Sequence, residues 1–291
     1  MPIPSRAADR AVPLARAKVN LWLNVVGRRT DGYHLLDSLV AFTDLADDIE
    51  VSAAPDLSLD IAGPAVASLQ EETDNLVLRA ARLLAGRAGL APRAALRLTK
   101  RIPVAAGLGG GSADAAATLL ALVDLWRVAM PEEELFDLAA ELGADVPMCL
   151  AGRPALVAGV GERLAPAPRL PPCAILLVNP GLPLPTPHVF AARQGGFSAE
   201  RPTPGVWPDL AAFGRELAVR GNDLTDAAVS LRPEIASVLQ ALRGSHGVVH
   251  AAMSGSGATC FGLYETVEMA QRAAADLLPS WWRHTGQLAT S

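Results

Sequence analysis

Hydrophobic and polar residues alternate near the start of the chain in the pattern of a β-strand. Residues 14–26 read LARAKVNLWLNVV, and a period of two is typical of a strand with one buried face. Because successive strand side chains point to opposite sides, Lys18 and Asn20 are predicted to share one face. The apolar residues beside them, Val19 and Leu21, occupy the other face.

Helical and strand periodicities follow each other along the rest of the chain, so both kinds of element are predicted. A proline-rich stretch at residues 166–172 interrupts the pattern. It indicates a boundary between two domains, residues 1–164 and residues 165–291. Single strands or strand pairs are predicted at 49–51, 95–99, 155–164, 174–178 and 248–264, and an apolar run lies at 35–45. Helices are predicted at 74–90, 112–128, 131–143 and 266–278, with another helix start at 222–224.

Two segments are predicted to lie at the surface, and a third is predicted to anchor the end of the chain. Asp44, Asp47 and Asp48 are interpreted as a solvated turn, since their spacing fits no calcium loop. Residues 195–208 are rich in glycine and proline and indicate a surface loop. The pair Trp281–Trp282 is interpreted as a docking anchor at the end of the last helix.

The most glycine-dense segment, residues 103–114, reads PVAAGLGGGSAD and follows the predicted strand 95–99. Its glycines remove the Cβ atoms that would hold a ligand away from the backbone. Free N–H groups at the start of the following helix would converge where the helix dipole favours negative charge. The pattern predicts a phosphate cradle, although it fits neither a P-loop nor a dinucleotide fingerprint. The alternative is a flexible turn in which Ser112 caps the helix.

The composition limits the classes of partner. The 291 residues are 51% hydrophobic, enough for a full core, and the net charge of −5 gives no basic surface for nucleic acid. An anionic ligand must therefore be held by local dipoles and a few placed cations. Three widely spaced cysteines, no signal sequence and no membrane-length apolar run indicate a cytoplasmic protein without a membrane partner. The oligomeric state is not determined by the sequence.

Several polar residues are candidates for chemistry. Lys18 and Lys100 are the only lysines, and a lysine in an arginine-rich chain indicates a site that needs a compact charge. The alternative for Lys18 is an edge residue whose ammonium reaches solvent. Asp145, in an apolar segment before a Val-Pro pair, is either a helix cap or a base. Tyr33 and His34 would stack on the ring of a ligand or pack within a loop.

Several stretches, taken together and in this order, resemble the GHMP kinases, a family that includes galactokinase and the homoserine, mevalonate and phosphomevalonate kinases. They are residues 17–21 (AKVNL), 103–113, and 254–257 (SGSG) with Phe261. Further stretches resemble one branch of that family, which phosphorylates the 2-hydroxyl of a cytidine diphosphate ester in non-mevalonate isoprenoid synthesis. They are residues 31–34 (DGYH), 143–147 (GADVP), and Pro180-Gly181 with Pro185-Thr186-Pro187.

The resemblance implies a two-domain α+β GHMP kinase fold with the active site in the cleft between the domains. It implies ATP and Mg²⁺ as cofactors and a small-molecule substrate, the cytidine diphosphate ester. The implied catalytic residues are Lys18 and Asp145, and the implied substrate-binding residues are Asn20, Tyr33, His34, Thr186 and Phe190. The implied ATP-binding residues are Pro103, Val104, Ala105, Ala106, Gly107, Leu108, Gly109, Gly110, Gly111, Ser112 and Ala113.

The chain departs from the family pattern in two places. Arg16 stands where relatives often have proline, which should matter little because it precedes the reactive face. No glutamate corresponds to the magnesium ligand of many GHMP kinases, so the metal ligands stay unassigned, with Ser112 and Asp114 as possible contacts. Two alternatives remain, a homoserine or mevalonate kinase and a non-catalytic nucleotide sensor. A sensor would need neither Lys18 nor Asp145.

Overall fold

The structure, a computed structural model, describes residues 14–64 and 75–290. Within this part the chain forms two compact units, each assembled from separate chain segments. Unit 1 contains the chain up to Ala17, Leu45–Val104 and Gly109–Gly152, and unit 2 contains Lys18–Asp44, Ala105–Leu108 and Arg153 onward.

Two long strands contribute residues to both units, β1 (Leu14–Arg28) and β2 (His34–Ser52). The structure confirms the strand predicted at residues 14–26. The remaining elements of unit 1 are β3 (Ser58–Ala62), α1 (Leu76–Ala88), β4 (Ala95–Thr99), α2 (Gly110–Trp126), α3 (Glu132–Leu142) and α4 (Val146–Ala151).

In unit 1, helices cover a small sheet in which β4 is the middle strand. It pairs in parallel with β3 and antiparallel with the last residues of β2, where Ile49 lies opposite Leu98. The buried side chains of α1 recur at helical spacing, as Val77, Ala80 and Leu84 show. The Asn75 side chain caps α1 by accepting from the Val77 N–H, and the other predicted cap residue, Asp74, lies outside the described residues.

Unit 2 contains the elements β5 (Ala155–Gly159), β6 (Arg163–Pro166), β7 (Ala174–Asn179), α5 (Thr186–Ala192), α6 (Leu210–Arg220), α7 (Thr225–Leu231), α8 (Glu234–Gly244), β8 (His250–Met253), β9 (Cys260–Tyr264), α9 (Val267–Ala275) and β10 (Trp282–Gln287). Four of its strands form an antiparallel sheet in the order β10-β7-β9-β8. The central strand β7 is a continuous buried apolar run, AILLV followed by Asn179. Separately, β5 pairs with the first part of β2 and with β6.

One predicted surface segment differs in the structure. Asp44, Asp47 and Asp48 do not form a turn, since all three lie within β2 and Asp47 is fully buried. Trp281 packs against the core of unit 2, which agrees with its interpretation as an anchor, and Trp282 begins β10, where it pairs with Asn179. The glycine- and proline-rich segment 195–208 contains no helix or strand, as predicted. None of the described helices is long and apolar enough to cross a membrane.

Candidate active site

The backbone of the glycine loop alternates between the two signs of φ. Ala105, Gly107 and Gly109 have φ of 52°, 76° and 65°, whereas Ala106 and Leu108 are not in the positive region. Alternation of this kind is typical of the backbone of anion-binding nests, in which successive N–H groups turn toward one point. Helix α2 then begins at Gly110 and carries no side-chain cap, so its first N–H groups remain available to a ligand.

Ser112 does not cap this helix. The N-cap is Gly109 in the left-handed region, and Ser112 is already the third residue of α2. The interpretation of the segment as a flexible turn capped by Ser112 is therefore wrong. The reason is local, because glycine adopts positive φ without steric cost and starts the helix two residues earlier.

The second small-residue loop, residues 254–257, packs directly on the backbone of the glycine loop. A Cβ atom at Gly107 would lie 2.7 Å from the carbonyl oxygens of both Ser254 and Gly257, closer than real Cβ contacts allow. The Ser254 hydroxyl donates to the Gly107 carbonyl at 3.0 Å, and the Thr259 N–H donates to the Ala106 carbonyl at 3.2 Å. The small residues of this loop therefore allow the two backbones to pack closely.

Lys18 and Asn20 meet on one face of β1, as the strand period predicts. Lys18 is only 6% exposed. Its ammonium donates to Asn20 Oδ1 at 2.6 Å. Asn20 is held in turn, because its amide donates to Ser38 Oγ at 2.9 Å and its backbone N–H donates to Ser254 Oγ at 3.2 Å. The Lys18 backbone N–H donates to the Leu108 carbonyl of the glycine loop. Burial at this level rules out the interpretation of Lys18 as a solvent-reaching edge residue.

Asp145 stands at the N-cap position of α4 with φ of −87°, but its side chain makes no capping hydrogen bond. An ordinary capping carboxylate would accept from an N–H of the first turn, so that interpretation is wrong. Asp145 belongs to unit 1 and Lys18 to unit 2, and the pairing of the two side chains stays a prediction.

The residues predicted to bind the substrate lie in unit 2. The rings of His34 and Phe190 are stacked, with centroids 5.0 Å apart and an interplanar angle of 24°. The pKa of His34 is lowered by burial and by nearby arginines, which favours the neutral imidazole at neutral pH. Tyr33 is 65% exposed, and the hydroxyl of Thr186 lies 2.8 Å from the hydroxyl of Ser256.

The sequence interpretation gave no positioning role to the polar groups that hold these residues in place. Ser38, Ser254 and Ser256 act through their hydroxyls, as described above. Asn222 donates to the carbonyl oxygens of Met253 and Gly255, both at 2.8 Å, and so fixes the second loop. Isolated serines and asparagines carry no periodic signal, and Asn20 and Ser254 are 234 positions apart, so only folding reveals their contact.

A buried cluster of charges lies directly below the start of α2, within unit 1. Lys100 Nζ donates to Asp47 Oδ2 at 2.5 Å and to Asp114 Oδ2 at 2.7 Å. Burial raises the pKa of Asp114 to about 7, against the opposing effect of the Lys100 charge and with a further rise from Asp47. Asp114 is therefore engaged with Lys100 and only 3% exposed, which argues against its interpretation as a metal contact.

The described residues do not provide a carboxylate site for a metal ion. No group of three or more His, Cys, Asp or Glu side chains in the part of the chain that the structure describes is arranged to hold one. The donor set therefore does not fit a metal held by several protein carboxylates. We assign no chemical step to such an ion.

Two family descriptions match the chain, "GHMP kinases N terminal domain" over residues 75–153 and "GHMP kinases C terminal" over residues 206–284. The chain belongs to the GHMP kinases, and like them it is an ATP-dependent kinase. The fold expected from the sequence, the two-domain α+β GHMP kinase fold, is thereby confirmed. The two matches lie on either side of residue 164, where the domain boundary remains a prediction.

Within this family the chain is similar to the 4-diphosphocytidyl-2-C-methyl-D-erythritol kinases. The enzyme of that name from Paramagnetospirillum magneticum is 53% identical over 277 residues, which cover 94% of this chain and 97% of the relative. The one from Rhodospirillum rubrum is 51% identical over 97% of this chain and 94% of the relative. A crystal structure of 4-(cytidine 5'-diphospho)-2C-methyl-D-erythritol kinase superposes with a TM-score of 0.79 at 40% identity, covering 96% of this chain and 99% of that one.

Proposed function

We propose that this protein transfers the γ-phosphoryl group of ATP to the 2-hydroxyl of 4-diphosphocytidyl-2-C-methyl-D-erythritol. The products are the 2-phosphate and ADP, and the reaction belongs to non-mevalonate isoprenoid precursor synthesis in the cytoplasm. The observation that carries the chemistry is the buried Lys18 ammonium, held by Asn20 at 2.6 Å on a strand bonded to the glycine loop. The choice of substrate is supported by relatives of that name that are about half identical over nearly the full length.

The glycine loop is the proposed phosphate site. Phosphoryl transfer depends mainly on positioning and on stabilising charge on the transferred group. The alternating φ values of residues 105–109 and the uncapped start of α2 supply backbone N–H donors for that charge. The chain has a net charge of −5 and no excess of basic residues. The backbone N–H groups of the loop would therefore take the place of basic side chains in binding the phosphates.

Asp145 and Lys18 are the proposed catalytic pair. Asp145 would accept the proton of the substrate hydroxyl as the oxygen attacks the γ-phosphorus. A nearby ammonium would stabilise the charge of the developing alkoxide. The place of Asp145 at the start of α4 and the fixed position of Lys18 support these roles.

His34 and Phe190 form the proposed cytosine-binding surface. The stacked pair offers an aromatic platform, and bases stack on such rings without needing many hydrogen bonds. The neutral imidazole, favoured by the lowered pKa of His34, has one donor and one acceptor nitrogen for the edge of a base. Asn20, Tyr33 and Thr186 complete the proposed substrate contacts.

Magnesium is the proposed companion of ATP, because such an ion would neutralise part of the negative charge of the triphosphate during phosphoryl transfer. Mg²⁺ retains several waters and is often bound through substrate phosphates rather than by an all-protein cage. This binding mode accords with the described residues, among which no group of three or more His, Cys, Asp or Glu side chains could hold a metal ion.

The substrate assignment is tested by measuring ADP release with a panel of alcohols. We expect release with 4-diphosphocytidyl-2-C-methyl-D-erythritol and none above background with homoserine or mevalonate. Activity on homoserine or mevalonate, with none on the cytidine diphosphate ester, would reject the assignment. Binding of ATP without turnover of any alcohol would favour a nucleotide sensor instead.

A charge placed in the first turn of α2 tests the phosphate site. Gly111 is exposed, and a Cβ atom there would meet only Leu76 at an ordinary 3.5 Å. Gly111→Asp is expected to raise the Kd for ATP about tenfold, because a carboxylate at this position repels the triphosphate. The measurement is titration calorimetry at two salt concentrations, with a smaller effect at high salt.

The matched control is Gly111→Asn, which adds a side chain of the same size without charge. We expect it to bind ATP within about threefold of the unsubstituted protein, well short of the tenfold loss of affinity that corresponds to 1.4 kcal/mol. Gly110 is unsuitable for this test, since a Cβ atom there would point inward, 3.2 Å from Lys100 Nζ and 3.1 Å from Ile102. Equal ATP affinities of the Asp and Asn variants would place the phosphates elsewhere.

Truncation of Phe190 tests the substrate surface. Phe190→Ala is expected to raise KM for the cytidine substrate about tenfold, the effect of losing one base–aromatic stack, while KM for ATP is unchanged. His188→Ala on the same helix, at an exposed position, is the control and should leave both constants unchanged. A KM for the cytidine substrate that Phe190→Ala does not alter would contradict the proposed platform.

A further inference from the structure

The buried cluster Asp47–Lys100–Asp114 contacts the chain on both sides of the glycine loop. On the entering side, Asp47 Oδ1 accepts from the backbone N–H groups of Arg101 and Ile102, at 2.5 Å and 2.9 Å. On the leaving side, Asp114 lies in the second turn of α2 and accepts from Lys100 Nζ. One ammonium therefore joins the two ends of a loop of about ten residues.

The cluster is placed directly against the first residue of the helix. A Cβ atom at Gly110 would come within 3.2 Å of Lys100 Nζ, so the glycine lets the ammonium lie under the helix start. The ends of β4 and β3 are also tied together here, because the Lys100 N–H donates to the Ala62 carbonyl at 2.8 Å. The cluster Asp47–Lys100–Asp114 is thus connected through Lys100 to two strands of the sheet, β3 and β4.

The composition of the cluster differs from that of an ordinary core contact. A buried ion pair is often no more stabilising than apolar residues of the same size, because desolvation of the charges opposes their attraction. Its directional hydrogen bonds instead select one arrangement of the joined segments. Asp114 Oδ1 is buried without a hydrogen-bond partner, a further cost that packing alone does not explain.

We propose that Asp47, Lys100 and Asp114 are positioning residues that fix the separation of the two ends of the glycine loop, and through it the affinity for the triphosphate of ATP. The inference rests on the proposed role of this loop as the ATP phosphate site. None of the three side chains needs to touch the nucleotide. They act through the backbone of residues 101–102 and through the start of α2.

The test compares substitutions at Asp114. Asp114→Asn keeps an oxygen that accepts from Lys100, and its ATP affinity is expected to remain within about threefold of that of the unsubstituted protein. Asp114→Ala removes the acceptor and is expected to raise the Kd for ATP about tenfold, the equivalent of one lost charge-assisted hydrogen bond. The Kd for the cytidine substrate, measured without ATP, should not change.

A control separates positioning from general loss of stability. Leu138 is fully buried in the core of unit 1, and Leu138→Ala should lower Tm while leaving the Kd for ATP unchanged. If Asp114→Ala does not fold, Asp114→Leu, which matches asparagine in size, replaces it. Equal ATP affinity of the Asn variant and the apolar variant overturns the inference, and so does a parallel loss of affinity in Leu138→Ala.

The test of the loop as the phosphate site and the test of the positioning role can be told apart. If Gly111→Asp and Gly111→Asn bind ATP equally, the loop is not the phosphate site, and that part of the proposed function fails. If the Gly111 pair behaves as expected but Asp114→Ala binds ATP normally, only the positioning role fails.

Discussion

Asp145→Asn is expected to lower kcat by about 10²–10⁴-fold, the range measured when a general base is removed. The amide keeps the shape of the side chain but cannot take the proton of the substrate hydroxyl. Because Asp145 makes no capping hydrogen bond in α4, the substitution should not shift Tm by the amount expected for a lost cap. Steady-state ADP release, together with Kd values for ATP and the cytidine substrate, tests this expectation.

The control for this variant is Asp137→Asn, which removes the same charge from an exposed position of α3 in the same unit. It should have normal kcat. Both Kd values should stay within about twofold for Asp145→Asn, since an interaction made only in the transition state alters kcat and kcat/KM equally. Near-normal turnover of Asp145→Asn would remove this residue from the mechanism.

Lys18→Met is expected to lower kcat by about 10²–10³-fold, comparable to the loss of one preorganised donor at a site of developing charge. Methionine matches the length of the side chain and leaves the buried strand face packed. Lys18→Arg should not restore activity, because the larger planar guanidinium cannot occupy the buried position 2.6 Å from Asn20 Oδ1. Arg16→Met, two residues earlier on an exposed position of β1, is the control with normal turnover.

The double variant tests whether Lys18 and Asp145 act as a unit. Residues that share one step show strongly non-additive losses. We therefore expect Lys18→Met combined with Asp145→Asn to be about as slow as the slower single variant. Losses that multiply would mean that the two side chains act independently, and would contradict the proposed pairing.

Much of the secondary structure could be predicted, because the spacing of apolar residues in those segments matches the geometry of the strand or helix that they form. The alternation in residues 14–26 gave β1, since a strand with one buried face requires a period of two. The glycine-dense segment between a strand and an alanine-rich helix gave the loop, although its helix begins at Gly110 rather than Ser112. The strand β10 was missed because its sequence, WRHTGQ, has no clear pattern and is defined by pairing with β7.

The error at Asp47 shows where local reasoning fails. Three aspartates within five positions indicate a solvated turn when each is considered alone. In the structure the strand continues through them, and the buried carboxylate of Asp47 is compensated by Lys100, 53 positions away. A distant partner of opposite charge determines whether such a residue can be buried, and no window of sequence contains that information.

The amino-acid sequence alone determined the family resemblance, the strand that carries Lys18 and Asn20, and the glycine loop that is the proposed phosphate site. These features depend on residue type and on short spacings, which the order of residues specifies directly. Tertiary structure alone decided the contact of Asn20 with Ser254, the stacking of His34 on Phe190 and the Asp47–Lys100–Asp114 cluster. Each joins residues far apart in the chain, and their positions follow from the burial of apolar surface in the whole fold rather than from any local preference.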